Sequence, residues 1–201
     1  MGELVVDPSG RGARAISRLF ERVADAAGGR EEPDLGAVAA GLAELASDPL
    51  SLAPWVDALG PTSGLVRLHA PARGPRLTLV HRLEGQLSAV HDHGTWVALA
   101  PVTGVETHRR YVRGAAPLDM PRLKAVEELR PAAVVTMVTP DDVHDHGHLV
   151  GTGAPAYVLV LTGDDQLRYR RHEWDPATGS HRVLEPGDLG RWVADEPWPL
   201  P

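Results

Sequence analysis

The sequence predicts a mainly β protein, built as a closed barrel or as two facing sheets, with a helical N-terminal part. Two observations predict this fold class. From residue 64 onward, short apolar segments alternate with turns that contain Gly or Pro, a pattern typical of all-β sandwiches and barrels. Before residue 60, apolar residues recur instead at the three- and four-residue spacing of amphipathic helices.

Three helices are expected ahead of the strands. The first follows Ser9 and ends at Gly28, and the second extends from Asp34 to Ser47, each with one apolar face. A third, shorter helical turn is expected over residues 52–59. The chain is accordingly divided into three parts: a helical element packed on the barrel over residues 1–60, the barrel over 61–185 and a C-terminal strap over 186–201.

Eight segments have the length, the apolar content and the flanking turns of β-strands. They cover residues 64–69, 76–83, 88–93, 96–103, 106–112, 132–138, 156–162 and 167–174. In the second of them, Leu77, Leu79, His81 and Leu83 alternate with other residues and therefore share one face. Strands this short and this closely spaced favour a closed or double-sheet architecture.

Composition and charge exclude several classes of function. The sequence has no cysteine, so disulfides, thiolate metal sites and cysteine nucleophiles are excluded. A formal net charge of -7 disfavours broad binding to nucleic acid or to anionic membranes. No segment approaches the roughly 18 apolar residues of a membrane span, and the N-terminus lacks the apolar run of a signal peptide. We therefore expect a cytoplasmic protein.

Two groups among the ten histidines have the spacing of metal ligands. His91 and His93 are two residues apart at a predicted strand end, so both imidazoles point to one side and can reach one ion. His144, His146 and His148 alternate in the same way. Imidazole suits iron, nickel, copper and zinc, and three such ligands leave other coordination positions open. These groups predict a mononuclear metal site.

The surroundings of the first pair resemble a known family. Gly85, His91, His93 and Gly104 have the spacing Gly-x5-His-x-His-x10-Gly, which resembles the first motif of the cupin superfamily. The glutamate of that motif is replaced here by an apolar residue at positions 97–98. Its loss is a mark of the three-histidine, cysteine dioxygenase-like branch, which includes bacterial thiol dioxygenases. The resemblance covers about residues 64 to 180.

This resemblance implies a fold, a cofactor and an activity. The fold is the cupin double-stranded β-helix, a jelly-roll barrel. The cofactor is a ferrous ion, and the activity is the dioxygenation of a small thiol acid to a sulfinate. Iron is therefore our first expectation, and zinc, manganese and nickel remain alternatives because the ligand type alone does not separate them.

A second motif of that branch resembles residues 140–148. His144 stands at its ligand position and His148 stands where the motif has Asn, so the resemblance makes His144 the third ligand. The spacing alone leaves His146 and His148 open for the same role. With His144 on the metal, the other two are candidates for a proton donor beside it.

The resemblance also implies substrate contacts. In thiol dioxygenases an arginine one or two strands before the His-x-His pair binds the substrate carboxylate, and Arg67 falls near that place. A buried arginine at this point would bind a carboxylate through two hydrogen bonds. Trp96 lies three residues after His93 and could be either a core residue or a substrate contact. We favour the core residue.

The chain departs from the family on a late strand. The Ser-x-His-x-Tyr set of cysteine dioxygenases would fall on Val158, Val160 and Thr162, so we expect an apolar cavity wall there. An apolar wall favours a more apolar substrate, a different oxygenation, or a barrel that has lost the reaction.

The leading hypothesis is a mononuclear metal-dependent dioxygenase that acts on a small anionic substrate, with a thiol acid as the family's example. A cupin enzyme outside the oxygenases, such as an isomerase or a lyase, and a non-catalytic metal- or ligand-binding protein are the alternatives. The expected partners are a small-molecule substrate and O2, with neither nucleic acid nor a membrane. The sequence leaves both a monomer and a homodimer open.

Overall fold

A computed structural model describes residues 10–29, 32–116, 119–148, 155–175 and 178–188. Within them, three α-helices precede eleven β-strands. The helices are α1 (Arg11–Ala27), α2 (Leu35–Ala46) and α3 (Pro49–Leu59). The strands are β1 (Gly64–His69), β2 (Arg76–Arg82), β3 (Val90–His91), β4 (Val97–Thr103), β5 (Glu106–Val112), β6 (Arg122–Leu129), β7 (Val135–Met137), β8 (His144–Gly147), β9 (Ala156–Thr162), β10 (Arg171–Trp174) and β11 (His181–Leu184).

The strands form two antiparallel sheets. The first sheet has the order β1-β2-β9-β4-β7 and the second has the order β11-β10-β3-β8-β5-β6. From β2 to β9 the chain crosses repeatedly between the sheets, so that β2-β9-β4-β7 and β3-β8-β5-β6 form the two halves of a double-sheet jelly roll. The predicted fold class, mainly β with N-terminal helices, is confirmed.

The ends of the helices follow from local chemistry. Gly28 has a left-handed φ of 51°, which ends α1 at low steric cost. The Asp34 carboxylate accepts hydrogen bonds from the backbone N–H groups of Gly36 and Ala37 and so caps α2. Pro49 is the first residue of α3, where its missing N–H would have no helical partner. None of the described helices is long and apolar enough to span a bilayer.

The helices cover the outer face of the first sheet. Leu19, Leu42 and Leu52, one from each helix, belong to a buried cluster with Leu77 and Leu159 of the sheet. Burial of large apolar side chains on both layers stabilises their contact. Because side chains alternate along a strand, the neighbours of these sheet residues face the second sheet, and that inner space contains the candidate site.

Three of the strands were not predicted, and each has a reason. The edge strand β6 is rich in charged residues that face solvent, so it lacks the apolar alternation of a half-buried strand. Strand β8 has the sequence His-Asp-His-Gly and is nevertheless fully buried. Strand β11 is only four residues long. The predicted strap lies outside the described residues from residue 189 onward.

Candidate metal centre

The two histidine groups meet on neighbouring strands of the second sheet. His91 on β3 and His144 on β8 are direct cross-strand partners, so their side chains lie on the same face. His93 follows in the loop after β3, and all three side chains are buried. One nitrogen from each of the three rings lies within 4.8 Å of the others. The structure therefore brings together His91, His93 and His144.

Backbone contacts orient two of the three rings. The Nδ1 atom of His91 lies 2.8 Å from the carbonyl oxygen of Ala89, and that of His144 lies 2.9 Å from the carbonyl oxygen of Asp142. A carbonyl only accepts, so in both rings Nδ1 carries the proton and Nε2 keeps its lone pair. This is the tautomer of a histidine that binds a metal through Nε2.

The remaining chemistry also fits a metal. Neither ring nitrogen of His93, nor Nε2 of His144, has a hydrogen-bond partner in the part of the chain that the structure describes, although both side chains are buried. Burial lowers the pKa of His91, His93 and His144, and neighbouring imidazoles lower those of the first two further. All three rings are therefore neutral donors, as imidazole ligands of a divalent ion must be.

His146 shares the inner face but is held by other groups. Its Nε2 lies 3.2 Å from a guanidinium nitrogen of Arg82, which can only donate, so Nε2 accepts. Its Nδ1 lies 2.5 Å from Oε1 of Glu106 and therefore donates its proton there. Both ring nitrogens are occupied, which explains why His146 does not join the three-histidine group.

His148 lies still further along β8 and its loop. Its Nδ1 lies 3.0 Å from the carbonyl oxygen of Val105. It is buried, but the three-histidine group does not include it. Of the two residues predicted as proton donors, His146 is adjacent to the ligands, whereas His148 contacts the backbone of the residue that precedes β5.

Asp142 fixes the loop that carries His93. Its buried carboxylate accepts hydrogen bonds from the backbone N–H groups of His93 (2.8 Å) and Gly94 (3.1 Å), and from Arg113 (3.2 Å). Its own carbonyl orients His144, so one residue positions ligands from both groups. Sequence reasoning missed this role of Asp142. The available signal was an acid placed two residues before a ligand.

The aspartates between the ligands point to the opposite face, as strand alternation predicts. Asp145 accepts two hydrogen bonds from Arg109 and one from the hydroxyl of Tyr111. Asp92 accepts from His172 and from Arg113. Neither carboxylate contacts a ligand ring, so the strands that carry the ligands are fixed from outside the barrel.

The wall opposite the ligands is apolar. Val158 and Val160 of β9 are buried with Val80, Val97 and Leu99 of the same sheet. The Thr162 hydroxyl donates to the carbonyl oxygen of Asp164 and is thus occupied in its own turn. The expectation of an apolar wall at positions 158, 160 and 162 agrees with this packing.

The polar side of the cavity carries a buried charge and a buried acid. Arg82, at the end of β2, is 2% exposed. Burial raises the pKa of Glu106 to about 8, and the positive charge of Arg82 opposes that rise. At neutral pH Glu106 therefore holds a proton most of the time, and the positive charge of Arg82 dominates this side.

Two predicted substrate contacts lie elsewhere. Arg67 is exposed on the edge strand β1, so it is not the buried arginine that the sequence interpretation required. The buried arginine near the ligands is Arg82, at the end of β2. Trp96 is buried in the cluster between the helices and the first sheet, so it is a core residue. Side-chain alternation at the start of β4 places Val97, and not Trp96, on the inner face.

The fold and the site define a class: a jelly-roll barrel with a candidate three-histidine metal centre between its sheets. No family model and no curated protein matches the sequence. Solved structures with a similar chain path include a cupin superfamily protein from Desulfitobacterium hafniense, with 11% identity over 52% of this chain and 80% of that one, and a TM-score of 0.40.

Two further similar structures are a DMSP lyase from Ruegeria pomeroyi and an RmlC-like cupin from Methanocaldococcus jannaschii. The lyase is 14% identical over 54% of this chain and 50% of that one, with a TM-score of 0.40. The archaeal cupin is 12% identical over 52% of this chain and 83% of that one, with a TM-score of 0.39.

Proposed function

We propose that this protein is a mononuclear metal-dependent enzyme, namely a non-haem iron dioxygenase that acts on a small anionic substrate. One observation carries the proposal. His91, His93 and His144 offer three neutral nitrogens within 4.8 Å of one another, with no carboxylate in the group. When bound, a ferrous ion would supply open coordination positions for substrate and O2 and would keep its full charge of about +2 because imidazole ligands are neutral.

The charge of the cavity supports an anionic substrate. Arg82 is buried beside His146, and the pKa of Glu106 leaves that acid mainly uncharged at neutral pH. A second buried arginine, Arg171, lies close enough to His93 to lower the pKa of its ring. A small anion in this space would be attracted by both cations in a region that excludes water.

The rest of the chain would position the substrate and protect the reaction. Asp142 holds the loop of His93 and the ring of His144 in one arrangement. Val158 and Val160 would exclude water from the opposite side. A substrate with a short apolar portion fits this wall, and small thiol acids are the first compounds to test.

A second candidate function is a metal-dependent lyase or isomerase that uses zinc, manganese or nickel. The observation that favours it is the Glu106–His146 pair, whose 2.5 Å hydrogen bond lies beside the ligand group. A carboxyl group and an imidazole in contact suit proton transfer to and from a carbon acid.

Oxygen consumption tests the leading proposal. Iron-loaded protein would be mixed with mercaptoacetate, 3-mercaptopropionate, cysteine and the matching hydroxy acids, with His144→Ala as the inactive control. We expect O2 uptake with at least one small carboxylate and none with the control. Metal-replete protein that consumes no O2 with any of these compounds would contradict the dioxygenase proposal. Conversion of a hydroxy acid under nitrogen would then favour the lyase or isomerase.

A further inference from the structure

His108 lies on the inner face of the second sheet, next to the candidate metal centre. On β5 it is the direct cross-strand partner of His146 on β8, so the two side chains share one face. Its ring centre lies 5.2 Å from that of His144. A molecule bound at the three histidines therefore comes within reach of His108.

The ring of His108 is buried without satisfied hydrogen bonds. The side chain is 0% exposed, and neither ring nitrogen has a hydrogen-bond partner among the residues that the structure describes. The nearest carboxylate oxygen, on Glu127, lies 4.0 Å from Nδ1, which is beyond hydrogen-bond length. An unsatisfied buried imidazole lowers stability, and an apolar residue of similar size would avoid this cost.

The surroundings of His108 favour an anion. Burial lowers the pKa of His108, and an imidazole carries at least one N–H donor in either protonation state. The charge of Glu127 is balanced by Arg110, whose guanidinium lies 2.9 Å from it. Arg82 adds a positive charge beside His146, the cross-strand partner of His108.

We propose that His108 forms a carboxylate-binding subsite, in which its N–H group donates a hydrogen bond to the far end of a small substrate held at the three histidines. This subsite rests on the proposed function, because it needs a metal-bound substrate whose other end reaches β5. It explains why a polar ring occupies a position where burial alone would favour leucine. It also supplies a polar contact from β5, since Val158 and Val160 on the inner face of β9 are apolar.

Binding of two thiols to cobalt-loaded protein tests the subsite without turnover. Mercaptoacetate and ethanethiol both offer a thiolate to the metal, but only mercaptoacetate has a carboxylate. The near-ultraviolet charge-transfer band of a cobalt–thiolate bond reports the dissociation constant of each. Cobalt content is measured first, to show that every variant holds the metal.

Two variants separate hydrogen bonding from space filling. In His108→Leu, which keeps the volume and removes the donor, mercaptoacetate should bind about tenfold more weakly or worse, with the affinity for ethanethiol unchanged. In His108→Gln, which restores an N–H donor, part of the mercaptoacetate affinity should return. Equal affinities for mercaptoacetate in the wild type and His108→Leu would overturn the subsite. Failure of the cobalt-loaded wild type to bind either thiol would overturn the proposed function and the subsite together.

Thermal stability gives an independent readout. Because the ring of His108 is unsatisfied, His108→Leu should melt at the same temperature as the wild type or higher. The matched control is His81→Leu, at a buried histidine whose Nδ1 is 2.8 Å from the carbonyl oxygen of Thr62. That control should melt at a lower temperature and leave both thiol affinities unchanged. A large loss of stability in His108→Leu would assign the ring a structural role and contradict the proposal.

Discussion

At the scale of single residues, the contacts of the ring nitrogens decide which histidine can hold a metal. His144 and His146 are both buried and face the same space, but of these two only His144 keeps Nε2 without a hydrogen-bond partner in the described part of the chain. The spacing of His91 and His93 was sufficient to predict a shared face. Within the second group, spacing alone left the ligand open and only the family resemblance pointed to His144, because Glu106 and Arg82, which engage His146, are 40 and 64 residues away from it in the sequence.

The buried acid Glu106 predicts a specific pH dependence of stability. Its folded-state pKa of about 8 lies above the ordinary glutamate value of 4.5, so between these pH values the folded chain holds a proton that the unfolded chain has released. The contribution of this group to stability is therefore full below about pH 4.5 and is lost as the pH rises through about 8.

In metal-free protein, the Glu106→Gln substitution should remove the loss of stability that the wild type shows as the pH rises. The melting temperature of the variant relative to the wild type should therefore rise between pH 5 and pH 8. Thermal unfolding of both proteins at the two pH values measures this difference, and other titrating groups cancel in it. A difference that is constant with pH would show that Glu106 is ionised in the folded state.

At the scale of elements, apolar segments bounded by turns predicted most of the strands and missed β8, which contains no apolar residue. β2, β4, β5 and β9 were predicted nearly to their ends. β8 was missed because its inner residues are His144 and His146, and its outer residue Asp145 bonds to Arg109 and Tyr111 of the neighbouring strand. In the sequence such a strand resembles a polar loop, because the residues that form hydrogen bonds with its polar side chains lie far away along the chain.

The helix layer gives an element-scale prediction. Leu42 of α2 is 0% exposed in the cluster under the first sheet, whereas Leu50 of α3 is 74% exposed. Leu42→Ala should reduce the free energy of unfolding by about 2–5 kcal/mol through lost burial and a residual cavity. Leu50→Ala, the matched control, should change it by less than about 0.5 kcal/mol. Urea denaturation measures both, and similar losses for the two variants would mean that the helices do not pack on the sheet.

At the scale of the whole molecule, the jelly roll joins two chemically different walls. The first sheet presents valines and leucines to the interior and is shielded outside by the helices. The second sheet presents the histidines, and contacts of Asp92 and Asp145 on its outer face and of Asp142 in the loop before β8 hold them in place. The sequence was enough to predict this architecture from short strands and cupin-like spacing. It did not predict the polar contacts between distant strands, which set the chemistry of the cavity.

The central claim is that His91, His93 and His144 hold one metal ion between the sheets, and metal content tests it most directly. Protein purified without chelators and loaded anaerobically with iron should contain about one ion per chain. His144→Ala should retain less than about a tenth of that amount, whereas His146→Ala should retain most of it, because both nitrogens of His146 are engaged elsewhere. A wild-type protein that binds no metal, or a His146→Ala variant that loses it while His144→Ala keeps it, would contradict the assignment.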